Sequence, residues 1–370
     1  MKAMILAAGK GTRVRPLTHS LPKPMIPILG KPVMEYLVEE LSRHGFNQIM
    51  VNTAHLANHL ENYFSDGRRW GVEIGYSFEG QIRDGEVIAQ PVGSAGGMRR
   101  IQDFGGFFDD TFLVVCGDAL IDLDLTAAVR RHWQSGAAAS MVVAHVPPSE
   151  VSNYGVVECD SNRRITGFQE KPSVDEARSD LVNTGIYFFE PEVLDLIPKG
   201  CEYDIGSQLF PDILAAGLPF NAIDIPFNWI DIGRLSDYWD ANQRLMLGHL
   251  NYIRMPGTEM YPGVWCGLNV KVDWDNVRIE GPVYIGAGSN IRSGAEILGP
   301  TWIGHGCVIE GGAKVRRSIL FEYSRLGSRA NVDEAVIFGR NCVDKEGQSI
   351  HDGDLELDWV SDSRDAPTDS

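Results

Sequence analysis

The sequence predicts an α/β domain with a Rossmann-like, mostly parallel sheet, followed by a left-handed parallel β-helix of hexapeptide repeats. Three observations carry this prediction. Short apolar runs of strand length alternate with helical stretches from the N-terminus to about residue 250, the signature of a parallel sheet covered by helices. Apolar residues then recur every six positions, at Ile279, Ile285, Ile291, Ile297, Ile303, Ile309 and Val315, and after a five-residue step at Leu320, Leu326, Val332 and Phe338. That period fits neither an amphipathic helix nor a lone hairpin, whereas three short faces per coil, each sending one apolar residue inward, reproduce it. Finally, 370 residues with 44% hydrophobic content suffice for two domains with a large core.

The elements follow in order. Ala3 to Ala8 is a short apolar run and reads as a buried strand, broken at Gly9 and Gly11. Pro32 to His44 is a predicted helix, with proline in its first turn, Val33, Leu37 and Leu41 on one face, and Gly45 as its stop. Gln48 to Asn52 is a strand, His55 to Phe64 a helix and Val72 to Phe78 a strand. A second glycine-rich turn, Gln90-Pro91-Val92-Gly93-Ser94-Ala95-Gly96-Gly97-Met98, enters a helix; alone it reads equally as a helix start with small residues for close packing. Thr111 to Cys116 is a buried strand ending in Gly117-Asp118, and Asp122 and Asp124 are solvated or cap a helix over Thr126 to Gln134. Ser140 to Val146 is the next strand, Tyr203 to Ala216 a helix, and Leu235 to about His249 a helix that closes the domain. The expected boundaries are 1–250 for the first domain, 251–263 for a linker, 264–346 for the β-helix and 347–370 for an acidic tail. Within that tail Leu355, Leu357 and Trp359 are expected to dock as a last strand or short helix, and Ser361 to Ser370 to be disordered.

The opening loop carries the chemistry. After the first strand, Gly9 and Gly11 let the backbone turn sharply and expose N–H groups, while Arg13, Arg15 and Lys23 bring fixed positive charge. Backbone donors plus cations suit a polyphosphate, although a glycine-rich turn after a first strand is also often only a tight turn. The phosphate loop with Gly, four residues and Gly-Lys-Ser/Thr is absent, and Val14 stands where a dinucleotide fingerprint needs its third glycine. A carboxylate such as Asp118, after a glycine at a strand's carboxyl end, is placed to hold Mg2+ on a phosphate, or to act as a loop or cap residue.

The longer string Leu6-Ala7-Ala8-Gly9-Lys10-Gly11-Thr12-Arg13-Val14-Arg15-Pro16-Leu17-Thr18, continuing through Leu21-Pro22-Lys23-Pro24-Met25 to Lys31-Pro32, resembles the opening of the sugar-nucleotide pyrophosphorylases. These nucleotidyltransferases join a sugar 1-phosphate to a nucleoside triphosphate. Val14 replaces the family's usual leucine. The resemblance runs to about Tyr238, through Val92-Gly93-Ser94-Ala95-Gly96, Gly117-Asp118, Tyr154-Gly155-Val156-Val157, Glu170-Lys171-Pro172, Asn183-Thr184-Gly185-Ile186-Tyr187 and Trp229-Ile230-Asp231-Ile232-Gly233. It implies a nucleotide site at Leu6, Ala7, Gly9, Gly11, Thr12, Arg13, Gly93 and Ser94. It implies a sugar-phosphate site in which Lys171 holds the phosphate, Glu170 the sugar hydroxyls, and Tyr154, Gly155 and Asn183 lie beside the sugar. It also implies catalytic roles for Arg13 and Lys23 on the triphosphate, and for Asp118 and Asp231 as carboxylates holding Mg2+; Asp231 also reads as a helix N-cap before Leu235. Members reading uracil or thymine often carry a glutamine five residues before the second loop's glycine, where this chain has Ile88. Either Gln90 reaches the base through a shifted loop, or backbone groups of Leu6, Ala7 and Gly93 read it unaided. The whole-chain pattern resembles both mannose-1-phosphate guanylyltransferases and cyanobacterial-type UDP-glucose pyrophosphorylases, with a lean towards UTP and glucose 1-phosphate. Base and sugar are not separable from these motifs.

Composition bounds the partners. A formal net charge of −17 offers no excess basic surface for nucleic acid or an anionic membrane. No run approaches the length of a membrane span, and the N-terminal apolar run is too short for a signal peptide. The six cysteines are scattered without a C-x-x-C pair, which fits reduced thiols in a cytoplasmic protein. A homo-oligomer built through the β-helix is expected. Two further readings stay open here: an acyltransferase built on the repeat, with His305 as base, and a catalytically dead regulatory subunit. Intact Arg13, Lys23, Asp118, Lys171 and Asp231 weigh against the second.

Overall fold

The structure is a computed structural model and describes residues 1–83, 86–250, 254–350 and 360–365. The chain divides into two compact units. The first comprises Met1–Gly11, Thr18–Ile26 and Pro32–Asp231, and the second Thr12–Leu17, Pro27–Lys31 and the chain from Ile232 onward.

A nine-stranded sheet organises the first unit. Its centre is parallel: Lys2–Leu6 lies between Phe112–Cys116 and Gln48–Thr53, and Glu73–Phe78 pairs beyond the latter. Leu181–Phe189 then runs antiparallel to Phe112–Cys116 and pairs with Gly155–Cys159 and Ala139–His145, beyond which lie Ile165–Glu170 and Phe220–Asp224 respectively. Alternation along the first strand fills both faces. Ala3 and Ile5 join a core with Leu37, Leu41 and Phe46 of the first helix region, while Met4 joins a second core with Met98, Phe112 and Phe189. The helices are Val33–Arg43, Ala57–Phe64, Ser94–Gly105 and Leu125–Ser135, close to the expected bounds. Tyr203 to Ala216 is not one regular helix. The Asp204 carboxylate accepts from the amides of Gly206 and Ser207 and starts a π-helical turn, Ile205–Leu209, before Phe210–Ala215 becomes α-helical.

The second unit is a parallel β-helix of three sheets. Ile285 stands beside Ile303, Ile291 beside Ile309 and Ile297 beside Val315, so the six-residue period is one face of an eighteen-residue coil. These side chains are fully buried. The step after Val315 shortens one corner, where Arg317 adopts a φ of 43°, and Ile303 then pairs with Leu320. One position differs from expectation. The corner shortens again at Glu334, with φ 50°, so Ile337 rather than Phe338 stacks on Leu320 and points inward.

Two flanking segments also differ from the sequence reading. Thr258–Tyr261, in the stretch expected as linker, forms a strand antiparallel to Val264–Cys266. At the other end, Ser361 to Asp365 is not disordered: Val360–Asp362 pairs with Ser324–Leu326, and Arg364 lies over the Tyr323 ring at 4.2 Å. Burial of Val360 and this cation–π contact offset the cost of ordering an acidic end. The expected docking of Leu355, Leu357 and Trp359, and the expected disorder of residues 366–370, lie outside the described residues. Helix Leu235–Met246 belongs to the second unit, where the Tyr238 hydroxyl donates to the Pro27 carbonyl at 2.8 Å and Trp239 to the Arg317 carbonyl at 2.7 Å.

Candidate active site

Three parallel strands end level with one another, since Leu6 is in register with both Asn52 and Cys116. Ligands of such sheets bind beyond these carboxyl ends. A cavity of about 370 Å³ opens there, lined by the first loop from Leu6 to Lys10, by Lys23 and Pro24, by Asn52 and Glu79, by Pro91, Gly93 and Ser94, and by Cys116 and Asp118.

Close backbone approach builds the floor. A Cβ at Gly117 would sit 2.9 Å from the Ile5 side chain and 3.1 Å from the Leu6 carbonyl, so only glycine lets the chain pass on to Asp118. Gly11 has φ 60°, and a Cβ there would lie 3.0 Å from Lys23 Cβ. Thr18 donates to the Gly11 carbonyl at 2.8 Å. These contacts hold Lys23 beside Asp118, with which it forms an ion pair. Asp231 stands opposite Ala119 in a short antiparallel pair, so the two motif carboxylates come from neighbouring strands. Asp122 steadies that pair by accepting from both the amide and the side chain of Asn228. Burial opposes charge on Lys23, but Asp118 and Asp231 outweigh it and raise the ammonium pKa above its ordinary value. Burial, reinforced by both carboxylates, pushes the Cys116 thiol far up, so Cys116 is an inert wall.

The second glycine loop is clamped from outside. Gly93 enters helix Ser94–Gly105 at φ 79°, with the Tyr203 carbonyl 2.4 Å from where a Cβ would be. Gly96 donates to that carbonyl at 2.8 Å, and Tyr203 donates back to Val92 at 2.9 Å. The Ser94 hydroxyl is consumed by Asp204, to which it donates at 2.8 Å, and by the Ile205 amide. What Ser94 offers the cavity is therefore a helix N-terminus rather than its hydroxyl.

The residues expected beside the sugar also converge. Gly155 pairs with Glu170, the Lys171 amide donates to the Tyr154 carbonyl at 3.2 Å, and Asn183 lies 3.9 Å from the Gly155 Cβ position. Asn183 is oriented by the Gly185 amide at 2.9 Å and the Tyr187 hydroxyl at 3.0 Å. Lys171 has φ 44°, a conformation that costs a non-glycine residue energy, and its half-exposed side chain carries the ammonium 3.5 Å from Glu170 Oε1. The Asn183 strand is the one that pairs with Phe112–Cys116, which links this group of residues to the Asp118 edge.

Three expectations fare differently. Gln90 does not line this cavity. It is exposed and lines a separate cavity with Arg99 and Arg100, and its amide donates to the Glu79 carbonyl at 2.9 Å. Asp231 is not the N-cap of the following helix; Asp237 accepts from the Arg234 amide there. Thr12 and Arg13 are exposed on a turn, Thr12–Val14, that belongs to the second unit. Conversely, Lys10, Asn52 and Glu79 line the cavity and were not singled out. Asn52 and Glu79 stand at the carboxyl ends of Gln48–Thr53 and Glu73–Phe78, so the strand-end rule would have found them. Glu79 is almost fully buried. Burial raises its pKa, opposed by hydrogen bonds from Asn52 and the Val92 amide.

A glycine-cradled cleft with two carboxylates, a paired lysine and an adjoining Glu-Lys strand end defines an enzyme of group transfer between phosphates. Residues 2–247 match the nucleotidyl transferase family, to which this chain belongs, and residues 289–351 match the GlmU-like C-terminal hexapeptide family. The chain is 56% identical to a UTP–glucose-1-phosphate uridylyltransferase of Synechocystis over 99% of its length and 95% of that protein. It is 31% identical to a mannose-1-phosphate guanylyltransferase of Mycobacterium tuberculosis over 66% of its length and 65% of that protein. A solved structure described as a putative glucose-1-phosphate thymidylyltransferase from Bacillus anthracis superposes with a TM-score of 0.55 at 25% identity, covering 65% of this chain and 94% of that one. Enzymes of this family generally use a divalent metal ion. Among the described residues no three His, Cys, Asp or Glu groups converge. Asp118 and Asp231, whose charges both act on Lys23, are oxygen donors of the kind that would suit a hard cation bound together with phosphate. No helix among the described residues is long and apolar enough to cross a membrane.

Proposed function

We propose that this enzyme transfers the uridylyl group of UTP to glucose 1-phosphate, releasing pyrophosphate and forming UDP-glucose. The observation that carries the substrate pair is identity along nearly the whole chain to a protein described as making that transfer. A phosphate oxygen of the sugar attacks the α-phosphorus, forming the new P–O bond as the bond to the β-phosphate oxygen breaks. The attacking group is already an oxyanion, so no general base is required. The protein's task is alignment and charge neutralisation. In this reading the loop amides around Gly9 and Gly11, with Lys23, take the triphosphate. Arg13 joins them on the strength of the motif. Lys171 draws in the sugar phosphate, and Glu170 and Asn183 hold sugar hydroxyls. Asp118 and Asp231 hold Mg2+, whose chemistry when bound is to offset charge on the phosphate oxygens.

The test is a matrix of nucleoside triphosphates against hexose 1-phosphates, read by pyrophosphate release. UTP with glucose 1-phosphate is expected to exceed every other pair by at least about tenfold in kcat/KM, because a site that hydrogen-bonds a base edge rejects a base that leaves its polar groups unpaired. GTP with mannose 1-phosphate is the second reading, favoured by the mycobacterial relative, and its prevalence in the matrix would replace the first. We further propose a cytoplasmic homo-oligomer assembled through the repeat, whose first coil exposes Met260, Tyr261 and Leu268. Light scattering of the full chain is expected to give a multiple of the chain mass; a monomer at micromolar concentration would remove this part.

A further inference from the structure

Two buried polar side chains at the back of the cavity form one chain of hydrogen bonds. The Ala7 amide donates to Asn52 Oδ1 at 2.7 Å, Asn52 Nδ2 donates to Glu79 Oε1 at 2.8 Å, and the Val92 amide donates to Glu79 Oε2 at 3.1 Å. Ala7 opens the first glycine loop and Val92 the second. Asn52 and Glu79 are only 3% and 1% exposed. Helix Ser94–Gly105 leaves them room only because residue 97 is glycine: a Cβ there would lie 2.6 Å from Glu79 Oε1 and 3.3 Å from Asn52 Nδ2.

The polarity of this chain is determined by its ends. Both terminal groups are amide donors, so the two side chains between them must together offer three acceptors and one donor. An amide supplies one of each. The other member must then present two acceptors, which a carboxylate does and a carboxamide does not. With two amides in the middle, one donor would always face another donor between almost wholly buried groups, where an unmade hydrogen bond carries a desolvation cost.

We infer that Asn52 and Glu79 are positioning residues that tie the two nucleotide loops together, and that Glu79 is a carboxylate because the amide-to-amide tie requires a double acceptor. The inference rests on the nucleotidyltransferase reading for its effect on catalysis, but the tie itself exists without substrate. It predicts an order-specific rescue. Glu79→Gln breaks the pattern. Asn52→Asp combined with Glu79→Gln restores it in reverse. The aspartate introduced at position 52 then accepts twice, from the Ala7 amide and from the Nε2 of the glutamine introduced at position 79. That glutamine's Oε1 accepts from the Val92 amide. Net charge is the same in the double variant and the parent.

The experiment uses the full chain and three proteins: parent, Glu79→Gln, and the double swap. Two quantities are read. Amide hydrogen exchange without substrate follows peptides containing Ala7 and Val92. Steady-state kinetics gives KM for UTP and for glucose 1-phosphate separately. Expected in Glu79→Gln are faster exchange at both peptides and a KM for UTP raised by about tenfold or more, the scale of one lost hydrogen bond to a charged group. KM for glucose 1-phosphate should stay within about twofold. In the double swap, both exchange and KM for UTP should return to within about threefold of the parent. A double swap no better than the single variant overturns the inference, and is the result expected if Glu79 instead contacts the base directly. Unchanged exchange in Glu79→Gln overturns it as well. If Glu79→Gln is too unstable to assay, the double swap decides alone, because recovery of folding and of parental exchange by a second polar exchange has no explanation in simple loss of packing. A parent that transfers neither uridylyl nor guanylyl groups refutes the functional reading and leaves the exchange measurement to decide the tie.

Discussion

At the scale of single residues, the carboxylates near Asp118 divide by what they touch. Asp118 pairs with Lys23 at the cavity, whereas Asp124 caps helix Leu125–Ser135 by accepting from the Ala127 amide at 2.9 Å. Asp118→Asn keeps the shape and removes the charge, so kcat at saturating Mg2+ is expected to fall about a hundredfold or more, as for loss of one preorganised electrostatic contact. Asp124→Ala is expected to cost about 1 kcal/mol of stability, read by urea unfolding, with kcat unchanged. The two cations differ in another way. Lys171 stands half-exposed at a strand end in a left-handed conformation beside Glu170, whereas Arg13 is exposed on the turn Thr12–Val14. Lys171→Ala is expected to raise KM for the sugar phosphate chiefly, and Arg13→Ala to lower kcat chiefly. An effect of Lys171→Ala confined to the KM for the triphosphate would show the two roles to be exchanged.

At the scale of elements, the second glycine loop is shaped by a neighbour rather than by its own residues. Tyr203 grips it by reciprocal backbone bonds to Val92 and Gly96, and Asp204 takes the Ser94 hydroxyl. Gly93 has both a φ of 79° and a carbonyl oxygen where a Cβ would go. Gly93→Ala must therefore push the loop away from Tyr203, beyond the strain of its left-handed backbone, and is expected to cost about 1–3 kcal/mol. Because the same loop lines the cavity, UTP affinity measured by calorimetry should fall along with the unfolding midpoint. Gly105→Ala, where nothing lies within 4 Å of a Cβ, serves as the control and should leave both nearly as they are.

At the scale of the whole molecule, a buried imidazole couples the first unit to acid. His132 lies between the Ser140 hydroxyl at 2.8 Å and the Glu190 carboxylate at 3.1 Å, with its ring stacked on Phe188. Burial lowers its pKa from 6.5, outweighing the attraction of Glu190. The unfolded chain thus takes up this proton at a higher pH than the folded one. The contribution to stability is complete above about pH 6.5 and is lost as the pH falls towards the lower folded value. One such proton gives a slope of at most about 1.4 kcal/mol per pH unit. In urea unfolding between pH 7 and pH 5, the stability of the parent relative to His132→Gln should decline as the pH falls. Equal pH dependence in parent and variant would show that His132 does not titrate with folding.

The sequence by itself determined both architectures and most of the cavity. Local signals sufficed where the physics is local: six-residue spacing dictates stacked coils, an apolar run ending in glycine dictates a strand and a turn, and the Gly9–Gly11 loop, Gly93 and Asp118 stand at strand or helix ends that their own neighbours create. What the sequence left open depended on partners far along the chain. Whether Ser94 offers its hydroxyl was decided by Asp204, and whether Asp231 caps a helix was decided by Asp237 and by the strand pairing opposite Ala119. Phe338 kept the six-residue count yet lost the inward position to Ile337, because a shortened corner at Glu334 is a property of the coil and not of the period. Glu79 and Asn52 are not legible in the sequence for the same reason. Each is an ordinary polar residue at a strand end, and only the parallel register of three strands, with Gly97 on the helix above, brings them within hydrogen-bond reach of two loops separated by more than eighty residues. Hydrogen bonds and burial act at contact distance, and contact between such positions is created by the tertiary fold alone.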